Sequence, residues 1–384
     1  MTLLVFGSIN ADVTVRVPEF PAPGETIAGS ELETATGGKS ANQAVAAALA
    51  GVRTAFIGRT GADAPGRAAR QALAAEGVDV SAMVEGSRPT GTALITVRQD
   101  GENTIVIAPG ANAQLGADDC PPELLERAEW VLLGLEVPLG EVAELARRAR
   151  AAGARVALNL SPVPAQPFPL DDVDLVIVNE HEAALLLASV AGTSGSVGAS
   201  GRNEARDASG WTSRSGVIGA SDAAGTNGAS GVPGVTGASG VPGVSGVPGV
   251  TGASGTTGTT VPKRADGGAG TARSARSDDV GRSSERAGVT SAGARALGVS
   301  TLVVTSGAEG AVIVQESGER RHVPAVAVEV VDTTGCGDAF AGVLVGRLAE
   351  GDDLIRAAEQ ASRFAAHAAT GAGAQSSYPR DFQV

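Results

Sequence analysis

Hydrophobic residues follow two alternating patterns along this chain. Short runs rich in valine, isoleucine and leucine recur at residues 3–9, 55–58, 130–135, 156–160, 175–178 and 302–305. Alanine-rich stretches with helical character lie between them, for example at 42–49 and 139–152. Strands that are apolar throughout and alternate with helices are typical of a parallel sheet covered on both faces. The pattern therefore predicts an α/β fold with a central, mostly parallel sheet and helices on both faces.

Residues 12–17 and 92–107 show a different pattern, because polar and apolar residues alternate there. A period of two indicates strands with one exposed face, and Asp100-Gly101 is a favourable hairpin turn. We therefore expect a small antiparallel β lid, formed by residues 11–37 and 91–108.

The segment 192–288, called here the Gly-rich tract, consists almost entirely of Gly, Ser, Ala, Thr, Val and Arg. Such a composition cannot bury a hydrophobic core. From Gly225 to Gly258 every third residue is glycine, which is a collagen-like period. Collagen also requires on the order of 15 to 20 per cent proline, whereas this run contains only three prolines. We expect a disordered, low-complexity insertion.

The overall composition narrows the choice of partners. The chain has 384 residues and a net charge of -13, which disfavours nucleic acid and anionic membranes and favours a small-molecule ligand. No apolar run is long enough to predict a membrane span. Two cysteines cannot supply a disulfide framework, and the first residues do not resemble a secretion signal. We expect a soluble, cytoplasmic protein.

The candidate chemistry lies in VVDTTGCGDAFAG, residues 330–342. Apolar β-branched residues at 326–331 predict a strand that leads into a Gly-Cys-Gly turn, and residues 338–348 predict a helix after it. The amides of Gly335, Cys336 and Gly337 at this helix N-terminus could bind an anion. Because a carboxylate there would repel phosphate, Asp338 suits a general base in phosphoryl transfer. The alternative is that Asp338 only stabilises the helix dipole.

A second glycine-rich turn, Gly37-Gly38-Lys39, also precedes a predicted helix. It is not a Walker phosphate loop, because that pattern requires glycine where this chain has Glu33. Ser40 is the expected N-cap of the helix.

Several motifs occur in the order that is typical of the PfkB family of carbohydrate kinases, and the chain resembles the ribokinase group within it. The motifs are GSINAD (7–12), PAPGET (21–26), GGKSANQAVAAA (37–48), GENTIVIAPGAN (101–112), LEVPL (135–139), VNEHE (178–182), TSGAEG (305–310), DTTGCGDAF (332–340) and GAQSSYP (373–379). DTTGCGDAF is highly specific for the family, while Lys39 and the adjoining ANQA favour ribokinases. The resemblance covers nearly everything outside the Gly-rich tract. It implies a ribokinase-like core at residues 1–191 that resumes at 289–384 with the catalytic loop and the nucleotide site.

The resemblance also implies a sugar site. Six residues would hydrogen-bond the sugar hydroxyls: Asn10, Asp12, Gly38, Lys39, Asn42 and Glu136. Asp338 would contact the same substrate as the general base, beside an anion hole formed by Gly335, Cys336 and Gly337. From the residues alone, Asn10 could equally be a turn residue and Glu136 a charge at a strand end.

Nucleotide and metal sites follow from the same resemblance. The residues implied in ATP binding are Asn179, Thr305, Gly307, Gly310, Gly337, Ser362 and Ala365. Glu182, with Asn179, is similar to the NxxE motif that organises magnesium in the family, although alone it would more often be a solvated helix residue. The oxygen ligands implied for a potassium ion belong to Asp332, Thr334, Ala368, Gly371, Gly373 and Ser377.

The expected activity is ATP-dependent phosphorylation of D-ribose at O5, by a homodimer that associates through the β lid. Alternatives are a fructokinase-like or adenosine kinase-like enzyme and a non-catalytic sugar-binding relative, although the intact Asp338 argues against the last. Two departures from the family are notable. Ser40 stands where ribokinases usually have glycine, and the Gly-rich tract replaces a much shorter connection.

Overall fold

The structure is a computed structural model that describes residues 3–193, 295 and 297–383. These residues all belong to one of the two compact units into which the chain divides. The Gly-rich tract lies outside the described residues, apart from its first two positions. Its predicted disorder and its role as an insertion therefore stay predictions.

Strands form where the sequence is rich in β-branched and other apolar residues. In chain order the described strands are β1 (Leu3–Phe6), β2 (Asn10–Val17), β3 (Glu33–Gly37), β4 (Thr54–Ile57), β5 (Arg59–Gly61), β6 (Val84–Gly86), β7 (Gly91–Arg98), β8 (Asn103–Ala108), β9 (Trp130–Gly134), β10 (Arg155–Asn159), β11 (Leu175–Asn179), β12 (Thr301–Thr305), β13 (Ala311–Gln315) and β14 (Arg320–Val323).

Helices occupy the alanine- and leucine-rich segments between these strands. The described α-helices are α1 (Lys39–Leu49), α2 (Ala64–Ala75), α3 (Pro122–Leu125), α4 (Leu139–Ala151), α5 (Glu180–Thr193), α6 (Cys336–Ala349) and α7 (Leu354–Ala368). Helix α6 is the helix predicted to follow the Gly-Cys-Gly turn.

Eight strands form the central sheet, in the order β14-β13-β12-β11-β10-β9-β1-β4. The six strands from β12 to β4 in this order pair in parallel, whereas β13 and β14 are antiparallel additions at one edge. Successive residues of a strand point to opposite faces, so Leu3 and Val5 belong to one buried cluster and Leu4 and Phe6 to the other. Helices α1, α6 and α7 contribute to the first cluster and α4 to the second. The predicted doubly covered, mostly parallel sheet is confirmed.

The predicted lid corresponds to a second, four-stranded sheet in the order β3-β2-β7-β8. The β7–β8 hairpin turns at Asp100 and Gly101, as expected, and Gly101 adopts a φ of 90° that favours glycine. The lid differs from the prediction in one respect. Its two antiparallel pairs, β2–β3 and β7–β8, are joined by a parallel pair between β2 and β7. The long connection between β2 and β7 permits this arrangement, since parallel strands need a crossover rather than a tight turn.

Two local predictions were wrong. Residues 326–331 form no strand, although their composition favours one. Strand β14 is followed by Pro324, which has no N–H for a sheet ladder, and the chain then runs exposed until Val331 N–H donates to Ala369 O over 2.8 Å. The N-cap of α1 is Gly38 rather than Ser40, because the turn requires a φ of 92° there.

In the part of the chain that the structure describes, no helix is long and apolar enough to cross a membrane. The cytoplasmic location stays a prediction.

Candidate active site

The two glycine-rich turns of the sequence meet at the carboxyl ends of strands β1 and β9. The contact depends on Gly342 of α6, where a Cβ atom would collide with the backbone carbonyl of Gln43 on α1. Because the two helices touch at backbone distance, the first turn of α1 lies against the first turn of α6. Asn42 and Asp338, which are 296 positions apart in the chain, are therefore hydrogen-bonded neighbours.

Asp338 is held by amide donors from α1. Asn42 Nδ2 donates to one carboxylate oxygen over 2.9 Å, and Gln43 Nε2 donates to the other over 3.4 Å. Burial raises the pKa of Asp338 from 3.8 to about 6, although the nearby Lys39 ammonium and these hydrogen bonds oppose the rise. A carboxylate with a pKa near 6 is a stronger base than a solvated one and is still largely ionised at neutral pH.

Glu136 and Lys39 also belong to this pocket, because both act electrostatically on Asp338. The Ser8 hydroxyl donates to Glu136 over 2.6 Å, and the backbone N–H of Lys39 reaches the same oxygen over 3.4 Å. Burial alone would lower the pKa of Lys39, but Asp338, Glu136 and Glu182 outweigh burial and raise this pKa. Lys39 is thus the fixed positive charge among these carboxylates.

Asp12 completes the cluster from strand β2 of the lid. Its pKa is raised from 3.8 to about 7, first by burial and then by repulsion from Glu136 and Asp338. At Gly37, on the neighbouring strand β3, a Cβ atom would collide with the Asp12 carboxylate. Three carboxyl groups and one ammonium therefore surround a small space, which suits a ligand that offers several hydroxyl groups.

Asn10 is fixed by a residue that the sequence did not single out. Asn112, which follows β8, donates from Nδ2 to Asn10 Oδ1 over 2.7 Å and to Ile9 O over 3.0 Å. It also accepts from the N–H of Ile9 over 3.1 Å. Asn10 Oδ1 therefore accepts one hydrogen bond within the protein, and the amide N–H groups of Asn10 can donate to a ligand.

Hydrogen bonds within the protein hold the Gly-Cys-Gly turn in place. Gly335 is the N-cap of α6 with a φ of 74°, and its carbonyl accepts from the buried Tyr378 hydroxyl over 2.9 Å. Cys336 N–H is already engaged by Thr333 O at 3.2 Å, so Gly337 N–H is the more available first-turn amide. Burial, followed by Asp332 and Asp338, raises the pKa of the Cys336 thiol to about 11 and keeps it protonated.

Asp332 connects the two loops predicted to hold potassium. It accepts from the Thr334 N–H and hydroxyl over 2.9 and 2.7 Å, and from the Gly373 N–H over 2.8 Å. Burial acts to raise the pKa of Asp332, but these hydrogen bonds lower it overall. The other predicted ligands lie on the second loop, where Gly371 N–H donates to Ala368 O over 3.2 Å and Ser377 Oγ donates to Ala374 O over 2.9 Å.

Asn179 and Glu182 form a reciprocal pair at the start of α5. Asn179 N–H donates to Glu182 Oε2 over 2.9 Å, and Glu182 N–H donates to Asn179 Oδ1 over 2.8 Å. This is the geometry of a capping box. The NxxE motif therefore has a structural role in this chain, and Glu182 Oε1 remains outside the box.

The predicted nucleotide residues are more dispersed and more exposed. Gly307 and Gly310 form a turn after β12 in which Gly307 is exposed and Gly310 half-buried, and a Cβ at Gly310 would collide with the backbone carbonyl of Val323. Thr305 Oγ1 contacts Val178 O over 3.4 Å. On α7, Ser362 is buried and donates to Pro324 O over 3.1 Å, while Ala365 is half-buried.

Ser40, the departure from the family pattern, is fully buried next to the Gly37-Gly38-Lys39 turn. Its hydroxyl lies against Gly7 and Gly134, where a Cβ atom would collide with it, and has no hydrogen-bond partner. The side chain thus packs onto the ends of β1 and β9.

The sequence did not identify five residues that hold this site together. They are Ser8, Gln43, Asn112, Gln375 and Tyr378. All five lie inside or next to the quoted motifs, which was the available signal. Their contacts cross more than 40 positions of sequence, so no local spacing could assign them a role.

A model of the pfkB family of carbohydrate kinases matches residues 2–208 and 278–381. The chain is similar to the ribokinase of Haemophilus influenzae, with 41% identity over 191 residues that cover 48% of this chain and 62% of that protein. The chain is also similar to the ribokinase of Arabidopsis thaliana, with 35% identity over 194 residues that cover 48% of this chain and 51% of that protein. The matches thus span between about half and two thirds of these relatives.

Solved structures show the same fold. The ribokinase of Thermotoga maritima superimposes with a TM-score of 0.69 and 25% identity, covering 98% of this chain and 96% of its own. The ribokinase of Arabidopsis thaliana, complexed with ribose and ATP, superimposes with a TM-score of 0.67 and 24% identity, and the match covers 99% of both chains. With a family model that matches well over half of its residues, the chain belongs to the PfkB family of carbohydrate kinases.

Proposed function

We propose that this protein transfers the γ-phosphoryl group of ATP to O5 of D-ribose, giving D-ribose 5-phosphate and ADP. The observation that carries the proposal is Asp338, a carboxylate with a raised pKa, held by two amides at the N-terminal turn of α6. Ribokinases are prominent among the relatives, which supports ribose as the acceptor.

In the proposed mechanism, Asp338 accepts the proton of the O5 hydroxyl as O5 attacks the γ-phosphorus. The O5–P bond forms, the bond from γ-phosphorus to the oxygen shared with the β-phosphate breaks, and ADP leaves. Amides of Gly335, Cys336 and Gly337 stabilise the charge on the transferring group. Gly337 N–H contributes most, because Cys336 N–H is engaged by Thr333 O.

The sugar is oriented by the polar cluster around Asp338. Asn10 supplies amide donors, while Asp12 and Glu136 accept from sugar hydroxyls. Gly38, Lys39 and Asn42 complete the set on the α1 side. A buried polar group left without its partner costs about 1 to 3 kcal/mol, so this arrangement rejects acceptors whose hydroxyl groups are placed differently.

ATP lies on the side of the exposed turn at Gly307 and Gly310, with Asn179, Thr305 and Gly337 near its phosphates. Beside α7 an open cavity of about 370 Å³ is lined in part by Val326, Val328 and His367. Exposed valines are a suitable wall for an adenine ring, but Ser362 and Ala365 are not among the residues that line this cavity, so their predicted adenine contacts rest on the family resemblance.

Magnesium fits the oxygen donors of Asn179 and Glu182, because Glu182 Oε1 stays available outside the capping box. Bound together with the nucleotide, this ion neutralises phosphate charge. Asn179 and Glu182 hold each other in place at the start of α5 and so keep that oxygen oriented.

Potassium fits the second oxygen-rich region. Asp332 joins the loops of Thr334 and Gly373, and the remaining ligands would be oxygens of Ala368, Gly371, Gly373 and Ser377. Asp332 is the one carboxylate of this ligand set and the other donors are neutral oxygens, which suits a weakly charged cation. The same residues would hold the cation next to the turn before α6, and its charge would help to order that turn.

We also propose a homodimer through the lid. Strand β8 is the edge of the lid sheet, and Leu94, Ile105 and Val106 are between 51% and 66% exposed. A second lid would cover both the apolar side chains and the unpaired edge. Sedimentation should give a dimer, and a Val106→Lys variant should shift it to monomer.

A panel of acceptors tests the proposed activity. Ribose, fructose and adenosine should be compared for ADP formation, with kcat/KM for ribose at least tenfold above the others. A preference for fructose or adenosine would point to a different acceptor within the same family. No ADP formation with any acceptor, in an enzyme that binds ribose, would indicate a non-catalytic sugar-binding protein.

A further inference from the structure

One buried side-chain amide next to Asp338, that of Gln43, has no role in the proposed mechanism. Gln43 is fully buried on the first turns of α1, next to Asn42. Its Nε2 points to Asp338 Oδ1 at 3.4 Å, and its Oε1 has no hydrogen-bond partner. An unpaired buried oxygen is costly, so its place next to a titrating carboxyl group calls for a functional reason.

The position of this amide is fixed by the backbone. Gly342 lets α6 touch the Gln43 carbonyl, which sets the distance between the two helices at the level of Asp338. Asn42 is fixed in turn, because Gln375 Nε2 donates to Asn42 Oδ1 over 2.9 Å. Asn42 must then present its N–H group to Asp338, and Gln43 is the group that faces the other carboxylate oxygen.

We propose that Gln43 is a positioning residue for the general base, which holds Asp338 Oδ1 while Asn42 holds Oδ2. The inference rests on the proposed role of Asp338. Before proton transfer, the Gln43 amide donates to the carboxylate. After transfer, the same amide turned over lets its unpaired Oε1 accept from the Asp338 hydroxyl. One side chain thus suits both protonation states, which explains the unpaired oxygen.

Other charged or titratable groups that face Asp338 do not replace this function. Lys39 attracts the carboxylate, while Glu136 and Asp12 repel it. Cys336 and Tyr378 also lie near and remain protonated, because burial raises the pKa of each. Lys39 can only donate, and the protons of Tyr378 and Cys336 are directed to the backbone oxygens of Gly335 and Asp332.

The test is the pH profile of Gln43→Met, which keeps the length of the side chain and removes the amide. Gln43 donation favours the ionised form of Asp338, so its loss should move the acid limb of kcat upward by about 0.5 to 1 pH unit. The plateau of kcat should fall about tenfold through poorer alignment, with KM for ribose within about twofold. Gln43→Glu should move the limb further, because a second carboxyl group raises the pKa of its neighbour.

Gln360→Met is the matched control. Gln360 is also buried, donates to an aspartate (Asp352 Oδ2, 3.1 Å) and has an unpaired Oε1. It lies on α7 in a different hydrogen-bond network. Its replacement should therefore leave the position of the acid limb of kcat unchanged and the plateau of kcat within about twofold. The inference would be overturned if Gln43→Met changed the acid limb and the plateau of kcat no more than Gln360→Met does.

A measurement without turnover separates this inference from the proposed function. The Asp338 carboxyl carbon can be titrated by NMR in ¹³C-labelled enzyme and assigned by its loss in Asp338→Asn. A higher Asp338 pKa in Gln43→Met or Gln43→Glu supports the contact, and an unchanged pKa in both removes it. Normal turnover by Asp338→Asn would instead reject Asp338 as the base, whatever the titration gives.

Discussion

Asp332 and Asp338 lie six residues apart, yet the regions around them give an aspartate opposite properties. Around Asp332, the loops of Thr334 and Gly373, called here the cation loop after their proposed ligand, supply backbone and hydroxyl donors. The pKa of Asp332 therefore falls despite burial. Around Asp338, the proposed base pocket (Asp12, Lys39, Asn42, Gln43 and Glu136) combines burial with the neighbouring Glu136 carboxylate, and the pKa of Asp338 rises to about 6. The first environment keeps a permanent negative charge, as a cation ligand requires. The second prepares a group that can accept and release a proton near neutral pH.

The difference also has a structural origin. Two of the donors to Asp332 come from Thr334, two residues away, and local turns readily provide such bonds. The donors to Asp338 come from α1, nearly 300 positions earlier. The lowered pKa of Asp332 thus depends largely on its own turn, with Gly373 as the one distant donor, whereas the environment of Asp338 depends on the packing of α1 against α6.

The largest expected effect comes from removing the charge in the base pocket. Asp338→Asn keeps the shape and the contact with Asn42 but cannot accept a proton, so kcat should fall roughly 10² to 10⁴-fold. Steady-state kinetics measure this, and titration calorimetry with ATP should show unchanged nucleotide binding. Near-normal turnover would remove Asp338 from the mechanism.

The next effect tests the cation loop. Wild-type activity should rise when sodium is replaced by potassium at constant ionic strength, and Asp332→Ala should lose this response. The variant also leaves Gly373 N–H and Thr334 N–H without their acceptor, which should cost about 1 to 3 kcal/mol of unfolding free energy. A wild-type rate that is indifferent to the cation would contradict the assignment.

The two regions should also contribute to stability with opposite dependence on pH. Asp12 of the base pocket has a folded pKa of about 7 against 3.8, so the folded state binds more protons between these values and loses stability as pH rises through them. Asp12→Asn should therefore stabilise the protein more at pH 8 than at pH 5, on the order of 2 kcal/mol after allowance for partial exposure.

For Asp332 the folded pKa is lowered. Its stabilisation is present above the unfolded pKa and is lost only as pH falls through the lower folded value. Asp332→Asn should thus destabilise the protein similarly at pH 5 and at pH 8. Urea unfolding at both values measures each variant, and a parallel response of the two would refute the contrast.

The smallest effect is expected where neither region is touched. Replacing residues 192–288 by a short Gly/Ser linker should change kcat and KM by less than about threefold, since loop closure depends only logarithmically on length. Kinetics and sedimentation of the shortened chain measure this. A lost activity or a changed oligomer would assign the Gly-rich tract a structural role.

The sequence predicted the parts of the fold that depend on local composition. Six apolar runs became the six parallel strands of the central sheet, because a strand buried on both faces must be apolar throughout. The same criterion wrongly predicted a strand at residues 326–331. Apolar composition does not show whether an edge of the sheet is free to pair with another strand, because the tertiary structure determines this. The parallel β2–β7 pair was missed because the alternation of 12–17 and 92–107 fixes one exposed face but not strand direction.

The candidate site was predictable as a set of motifs and not as a network. Asp338 and Asp12 could be named from motif order, but their raised pKa values depend on packing between α1, α6 and the lid. Ser40 was a reasonable N-cap by residue type, yet the positive φ at Gly38 moved the cap two positions. Gln43 and Gln375 lie inside quoted motifs, but their place in a motif assigned them no role, because an amide in a helix or loop has many ordinary uses.

The contact of Asn42 with Asp338 has a practical consequence for engineering. The turn with Lys39 and Asn42 lies before the Gly-rich tract and Asp338 lies after it, so neither piece of a chain divided there contains the whole proposed site. Under the proposed function, two such polypeptides, each fused to one member of an interacting pair, would phosphorylate sugar only after the pair had met. They would then form a two-piece reporter whose signal is amplified by turnover.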